Sequence, residues 1–112
     1  MAAFDSLATP AILVDRAKLE TNIRSMQAAC DASGIELRPH MKTHKMIEVA
    51  RRQLGAGAKG LTCAKLGEAE AMLPSGVKEI FVAKKEFAAT LTNSAVGRSA
   101  RIQGVPRSVI GL

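Results

Sequence analysis

The sequence has no tryptophan, no tyrosine, only two cysteines and no long apolar run. Without about 18 consecutive apolar residues, the chain is not expected to cross a membrane. The acid Asp5 stands where a secretory signal would carry basic residues, and no long apolar segment follows it. Cys30 and Cys63 have no CxxC spacing, which favours free thiols over a disulfide or a metal site. Together these absences predict a cytoplasmic protein with no membrane partner.

Positive charge is plentiful but unevenly placed. Of 16 basic and 10 acidic residues, residues 1–83 hold 11 and 9, so the last 29 residues are strongly basic. That basic segment has a single aromatic residue, Phe87, and no motif of an RNA-binding or zinc-finger domain. We therefore expect no nucleic-acid partner. A basic interaction module, in which residues 84–112 bind an acidic protein, stays open as an alternative.

The first 84 residues alternate between strand patterns and helix patterns. Strands are predicted at residues 11–14, 35–41, 60–64 and 79–83, with Asp15 capping the first helix and Gly34 ending it. The predicted helical stripes are Leu19, Ile23, Met26 and Cys30, then Met46, Val49, Ala50 and Leu54, then Ala69, Met72 and Leu73. This order predicts parallel strands joined by helices, an α/β fold. Residues 84–112 show no strand or helix period, and we expect no defined fold there.

The strongest functional signal is one basic run, Arg38-Pro39-His40-Met41-Lys42-Thr43-His44-Lys45. Strand alternation places Arg38, His40 and Lys42 on one face. Lys42 comes last, at the carboxyl end of a strand, where α/β sheets and barrels hold their ligands. A lysine there suits a Schiff base with an aldehyde cofactor. The alternative is an ordinary solvated lysine in a loop.

Two further groups in this region could carry chemistry. His40 and His44 are four residues apart, as in a helical metal pair, but Pro39 and the strand pattern place His40 outside any helix. We therefore predict no metal ligand among these residues. Glu68 and Glu70 open a short helix, where acids favour the helix dipole, and we interpret them as structural.

Five segments carry a family resemblance. They are Thr9-Pro10-Ala11-Ile12-Leu13-Val14-Asp15, Asn22-Ile23, residues 37–45, Cys63-Ala64-Lys65-Leu66-Gly67-Glu68-Ala69-Glu70, and Ile80-Phe81-Val82-Ala83. In order and spacing they resemble the N-terminal part of D-threonine aldolases and D-serine dehydratases. These are alanine-racemase-like enzymes of fold type III that carry pyridoxal 5′-phosphate on a (β/α)₈ barrel. The resemblance covers residues 8–84. It implies a partial barrel over residues 1–84 and an irregular basic tail, unlike the family, over residues 85–112.

The resemblance also implies a site and a reaction. Lys42 corresponds to the Schiff-base lysine and is the one catalytic residue expected, with His40 and Arg38 beside it as cofactor-binding residues. The implied activity is that of a pyridoxal phosphate-dependent lyase on D-3-hydroxy amino acids, of the D-threonine aldolase type. A D-serine dehydratase-type ammonia-lyase and a non-catalytic cofactor-binding protein stay open. The family's divalent metal site lies near the C-terminus of full-length relatives, outside this chain.

Length sets a further expectation. A (β/α)₈ barrel typically takes about 250 residues, and the pattern here supplies about three barrel strands. We therefore expect a truncated chain that keeps the lysine without the pocket that retains the cofactor. Such a chain would show no stable absorption band from lysine-bound cofactor. Whether it is active, and whether it forms an oligomer, the sequence does not decide.

Overall fold

The computed structural model describes residues 4–83 and the backbone of residues 101–104. Its elements are α1 (Arg16–Ala32), α2 (Ile47–Ala56), β1 (Leu61–Cys63), α3 (Leu66–Met72), a 3₁₀ turn (Leu73–Ser75), β2 (Glu79–Val82) and β3 (Arg101–Gly104). Within these residues, no helix is long and apolar enough to cross a membrane. The other residues of the basic segment, with the interaction module predicted there, lie outside the described part.

The first helix begins and ends as predicted. The Asp15 carboxylate accepts the N–H of Lys18 at 3.0 Å, which satisfies one of the free donors of the first turn. Gly34 follows the last turn with a φ of +69°, in the left-handed region that favours glycine. The predicted apolar stripe is only half-buried, and the one fully buried residue of α1 is Gln27.

The predicted strand 35–41 runs parallel to β1 but forms a single bridge, between His40 and Thr62. Residues 38–42, from Arg38 to Lys42, are the lysine-bearing segment. Thr62 N–H donates to Pro39 O at 2.8 Å, and Met41 N–H donates to Thr62 O at 3.0 Å. Pro39 has no N–H, so the ladder cannot continue toward the start of the segment. The predicted strand is therefore an extended segment whose one ladder bridge lies near its carboxyl end, while Lys59 N–H donates to Leu37 O at 2.8 Å near its start.

The remaining strands form one parallel sheet in the order β1-β2-β3. Leu61 pairs with Ile80, and Glu79 pairs with Arg101. The parallel pairing of β1 with β2 across α3 confirms the predicted α/β fold. The expectation that residues 84–112 contain no strand is wrong at β3. Four residues with one aliphatic side chain give no alternating pattern, so pairing with β2 defines this strand and local propensity does not.

The core lies between one face of the sheet and the helices α2 and α3. Met41 from the lysine-bearing segment packs there with alternate residues of β1 and β2 and with inward residues of the helices; the cluster is Met41, Ala50, Leu61, Cys63, Ala69, Met72, Val77, Ile80 and Val82. This alternation leaves the other face of the strands for His40, Thr62 and Phe81. The helices therefore cover one side, and His40 and Thr62 lie on the other side with Phe81.

One predicted strand does not form. Residues 11–14 have no strand partner among the described residues, and their apolar side chains are solvated: Ile12 is 95% exposed. An apolar run becomes a strand only when a neighbouring strand and a covering layer accept it. Within residues 4–83, no strand pairs with this run and no layer covers it, so its apolar pattern does not produce a strand.

Candidate active site

Lys42 lies at the carboxyl end of the lysine-bearing segment, in the turn that leads toward α2. The preceding residue, Met41, is 1% exposed and anchors the turn in the core. Lys42 follows on the opposite face and is exposed. Within residues 4–83, no carboxylate forms an ion pair with its Nζ. The result is an accessible amine on a backbone that core packing holds in place.

Two histidines flank this lysine, and each uses its ring to bind nearby backbone. His40 Nδ1 accepts the N–H of Lys42 at 3.1 Å, and His44 Nδ1 accepts the N–H of Met46 at 2.9 Å. His44 Nε2 lies 3.2 Å from Gln53 Oε1, an acceptor, so it carries the proton. Partial burial and then the charge of Lys42 lower the pKa of His40, against the opposing effect of Glu68. The net shift favours the neutral form of the His40 ring.

Glu68 holds the loop that follows β1, beside His40. Its Oε1 accepts the N–H of Ala64 at 2.8 Å and that of Lys65 at 3.2 Å, across the start of α3. Partial burial acts to raise the pKa of Glu68, but these two hydrogen bonds, the His40 ring when it is protonated, and the charge of Lys45 lower it overall. Glu68 is thus an ionised capping residue, as predicted for an acid in a first turn.

Arg38 lies at the other end of the lysine-bearing segment, about 13 Å of extended backbone before Lys42. Its Nε and Nη2 donate to Glu79 Oε1 at 2.7 and 2.5 Å, and Nη2 also reaches Glu36 Oε2 at 3.2 Å. The hydrogen bond from Arg38 to Glu79 raises the pKa of Arg38 above its usual value. The structure therefore joins Arg38 to the start of β2 and does not bring its guanidinium into contact with Lys42.

The potential metal-binding groups lie apart. His40 and His44 turn their rings toward different backbone partners, and no group of three or more potential ligands forms among the described residues. Burial raises the pKa of the Cys63 thiol to about 12, so this sulfur stays protonated at neutral pH. Cys30 and Cys63 are both free thiols, as predicted.

Two site residues escaped prediction. Glu79 binds Arg38 across 41 positions of sequence, and nothing local in the sequence signals that pair. Gln27 occupies a buried place on α1, beside a largely apolar cavity of about 460 Å³ between α1, α2 and the lysine-bearing segment. Gln27 lies four residues after Ile23 and three before Cys30, and this place on the apolar face of α1 was a signal that could have found it.

Comparison with known proteins places these features in a family. The sequence model of the alanine racemase N-terminal domain matches residues 14–102. D-threonine aldolase of Arthrobacter sp. is 38% identical over 94 residues, which are 84% of this chain and 24% of that protein. D-threo-3-hydroxyaspartate dehydratase of Delftia sp. (strain HT23) is 44% identical over 78 residues, 70% of this chain and 20% of that protein. The match extends beyond residue 84; the division of the chain at that residue stays a prediction.

Solved structures agree with the sequence matches. The crystal structure of D-threonine aldolase from Filomicrobium marinum has a TM-score of 0.74 at 31% identity, over 87% of this chain and 27% of that one. D-threo-3-hydroxyaspartate dehydratase from Delftia sp. HT23 has a TM-score of 0.75 at 35% identity, over 87% and 26%. The chain spans about a quarter of the length of these relatives; its truncation stays a prediction. By fold and sequence, the chain belongs to the alanine racemase N-terminal domain family, and it matches a part of those α/β barrel enzymes.

Proposed function

We propose that this chain is part of a pyridoxal phosphate-dependent lyase acting on D-3-hydroxy amino acids, of the D-threonine aldolase type. Lys42 is the proposed Schiff-base lysine. The observation that carries the proposal is the placement of Lys42: an exposed amine without a carboxylate partner in residues 4–83, at the carboxyl end of a parallel strand segment. The names of the relatives, an aldolase and a dehydratase of hydroxylated D-amino acids, support the same reaction class.

The described residues fit an aldehyde cofactor at this position. The nearest carboxylate on α3, that of Glu68, already accepts two backbone N–H groups. No carboxylate within residues 4–83 forms an ion pair with Lys42, and the His40 ring beside it binds the backbone N–H of Lys42. The cofactor, when bound, supplies an electron sink for the charge that develops next to the substrate's amino group. Lys42 Nζ would hold that cofactor, and as a free amine the same nitrogen would accept or return a proton.

The other two cofactor-binding predictions have different support. His40 lies on the lysine's face and shares a hydrogen bond with its backbone, which supports a place beside the cofactor. The guanidinium of Arg38 is engaged by Glu79 and Glu36. A direct contact from Arg38 to the cofactor therefore stays a prediction without support from this geometry.

Reductive trapping tests the role of Lys42. The chain is incubated with pyridoxal phosphate, reduced with borohydride, digested and mapped by mass spectrometry. Reduction makes the bond permanent, so the map reports the reacting lysine even when the cofactor is held weakly. We expect the adduct on Lys42 and its loss in Lys42→Ala, with Lys78→Ala as an exposed-lysine control. An adduct level unchanged by Lys42→Ala would overturn the assignment.

D-threonine separates the reaction classes that the sequence leaves open. An aldolase breaks the Cα–Cβ bond and releases glycine and acetaldehyde. A dehydratase removes the α-proton and expels the β-hydroxyl, and hydrolysis of the product then gives 2-oxobutanoate and ammonia. A non-catalytic cofactor-binding protein carries the adduct on Lys42 and releases neither pair. If D-threonine is turned over, the proposed type gives the aldolase products; 2-oxobutanoate with ammonia would instead favour the dehydratase type.

A further inference from the structure

The turn that carries Lys42, residues 41–45, is held in an unusual shape. Lys45 N–H donates to Met41 O at 2.8 Å and closes the turn. Lys45 itself has a φ of +50°, in a left-handed region that residues with a side chain rarely occupy. Such a conformation persists only where surrounding contacts impose it. The lysine turn therefore depends on the groups that bind its backbone from either side.

Those groups are the two histidine rings. His40 Nδ1 accepts the N–H of Lys42, and His44 Nδ1 accepts the N–H of Met46, so each ring binds a backbone donor two positions onward. One bond lies at the start of the turn and the other just beyond its end. Together they fix the backbone on both sides of the left-handed residue.

Both bonds require neutral rings. An imidazole nitrogen accepts a hydrogen bond only while its lone pair is free, and in the charged ring both nitrogens are donors. For His44, the amide oxygen Gln53 Oε1 at 3.2 Å from Nε2 fixes the tautomer with the proton on that nitrogen. Protonation of either Nδ1 would place an N–H against a backbone N–H and break the bond.

The surroundings of the two rings differ. His40 faces two charged groups, Lys42 on its own turn and Glu68 from α3, and Glu68 in turn faces Lys45. Burial and Lys42 together outweigh Glu68 and keep the pKa of His40 below its ordinary 6.5. His44 lines the cavity between α1 and α2, whose other polar lining residues are uncharged: Asn22, Gln27, Thr43 and Gln53.

We propose that His40 and His44 are positioning residues that hold the lysine turn only while both rings are neutral, so that acidification releases Lys42. For His40, the direction of its pKa shift determines how the stability of the fold changes with pH. A histidine with a depressed pKa stabilises the fold above its unfolded pKa of about 6.5, and that stability is lost as the pH falls through the lower folded value. The consequence for catalysis rests on the proposed role of Lys42; the hydrogen-bond arrangement does not.

The test uses the cofactor-free 112-residue chain and ¹H–¹⁵N NMR between pH 8 and pH 5. We expect the amide protons of Lys42 and Met46 to move upfield as the respective rings titrate, with the His40 midpoint below pH 6.5. Solvent exchange of these two amides, corrected for its intrinsic pH dependence, should accelerate about fivefold, the factor for a hydrogen bond of about 1 kcal/mol. Amide signals that do not follow the ring titrations would overturn the proposal.

Conservative variants sharpen the test. In His40→Asn the amide oxygen lies near the place of Nδ1, so the Lys42 bond should survive and lose its pH dependence. In His40→Gln the oxygen lies farther along the side chain, and the bond should be absent at every pH. Equal behaviour of the two variants would contradict the acceptor role. Should either variant fail to fold, the titration of the unmodified chain still decides.

Failure of this proposal differs from failure of the proposed function. If reductive trapping misses Lys42 but its amide follows the His40 ring, the cofactor assignment fails and the positioning role stands. If trapping finds Lys42 while its amide ignores ring protonation, the positioning role fails alone. When both proposals hold, the ratio of trapped adduct on Lys42 to that on exposed Lys78 should decrease when the pH is lowered below 6.5. In the double variant His40→Asn/His44→Asn this ratio should not change with pH.

Discussion

The two ends of the lysine-bearing segment carry cations in opposite states. At the amino end, Arg38 is bound to the buried Glu79 and to Glu36. At the carboxyl end, Lys42 is exposed and has no carboxylate partner within residues 4–83. Both side chains share one face by strand alternation, so residue type and face alone do not separate them. Their positions along the segment separate them. The amino end, at Arg38, is closed by ion pairs and stabilises the sheet; the carboxyl end, at Lys42, is open and leaves an amine for chemistry.

Removing Arg38 should have the largest effect on stability. Arg38→Met leaves the carboxylate of Glu79, whose side chain is 9% exposed, without its charged donor. We expect the free energy of unfolding to fall by about 2–3 kcal/mol, measured by urea denaturation. Arg38→Met/Glu79→Leu should recover much of this loss, because no buried charge then remains. Glu36→Gln, which weakens only the exposed ion pair, should cost less than about 1 kcal/mol. A loss equal to that of Arg38→Met would contradict the distinction between the buried pair and the exposed pair.

A glycine at the closed end should also be sensitive. A Cβ on Gly60 would lie 2.2 Å from the backbone oxygen of Glu79, so Gly60→Ala must push β1 and β2 apart. We expect a loss of about 1–3 kcal/mol in the same denaturation experiment. The control is Gly55→Ala, inside α2 with no atom within 4 Å of the added Cβ. That change should stabilise the chain by about 0.5–1 kcal/mol.

Glu68 at the open end should contribute less, and in a pH-dependent way. Its depressed pKa means that its contribution is present above the ordinary value of 4.5 and is lost as the pH falls through the lower folded value. Glu68→Gln should therefore cost about 1 kcal/mol at pH 7, and less as the pH falls below 4.5, as expected for a helix cap. Glu70→Gln, an exposed acid on the same helix, should not change stability measurably in either range. A loss in Glu68→Gln that did not decrease below pH 4.5 would contradict the electrostatic account.

Lys42 itself should have the smallest effect on stability. Lys42→Ala removes an exposed side chain that makes no ion pair, and the backbone bond to His40 is retained. We expect the free energy of unfolding to change by less than about 0.5 kcal/mol. A loss comparable to that of Arg38→Met would make Lys42 structural and remove the contrast between the two ends.

Much of the fold, and the position of Lys42, could be predicted because they depend on residues that are close in the sequence. The alternation of patterns gave the α/β fold, the caps Asp15 and Gly34 gave the limits of α1, and the basic run located Lys42. The failures share one physical cause, which is dependence on distant partners. The apolar run 11–14 stays exposed for lack of a neighbour, and β3 forms through pairing with β2. The pair of Arg38 with Glu79 could not be predicted either, because the two residues lie 41 positions apart.

Competition between lysines at the two ends tests most directly whether Lys42 is the amine that binds the cofactor. Lys59 lies near the closed end, with its Nζ 3.9 Å from Glu36, and Lys42 lies at the open end. In one sample, pyridoxal phosphate and borohydride are applied at pH 7.5, and the adduct on each lysine is quantified by mass spectrometry. We expect the cofactor adduct to form predominantly on Lys42. Reductive methylation by formaldehyde should show no such preference between Lys42 and Lys59. Equal cofactor labelling of Lys42 and Lys59 would contradict it.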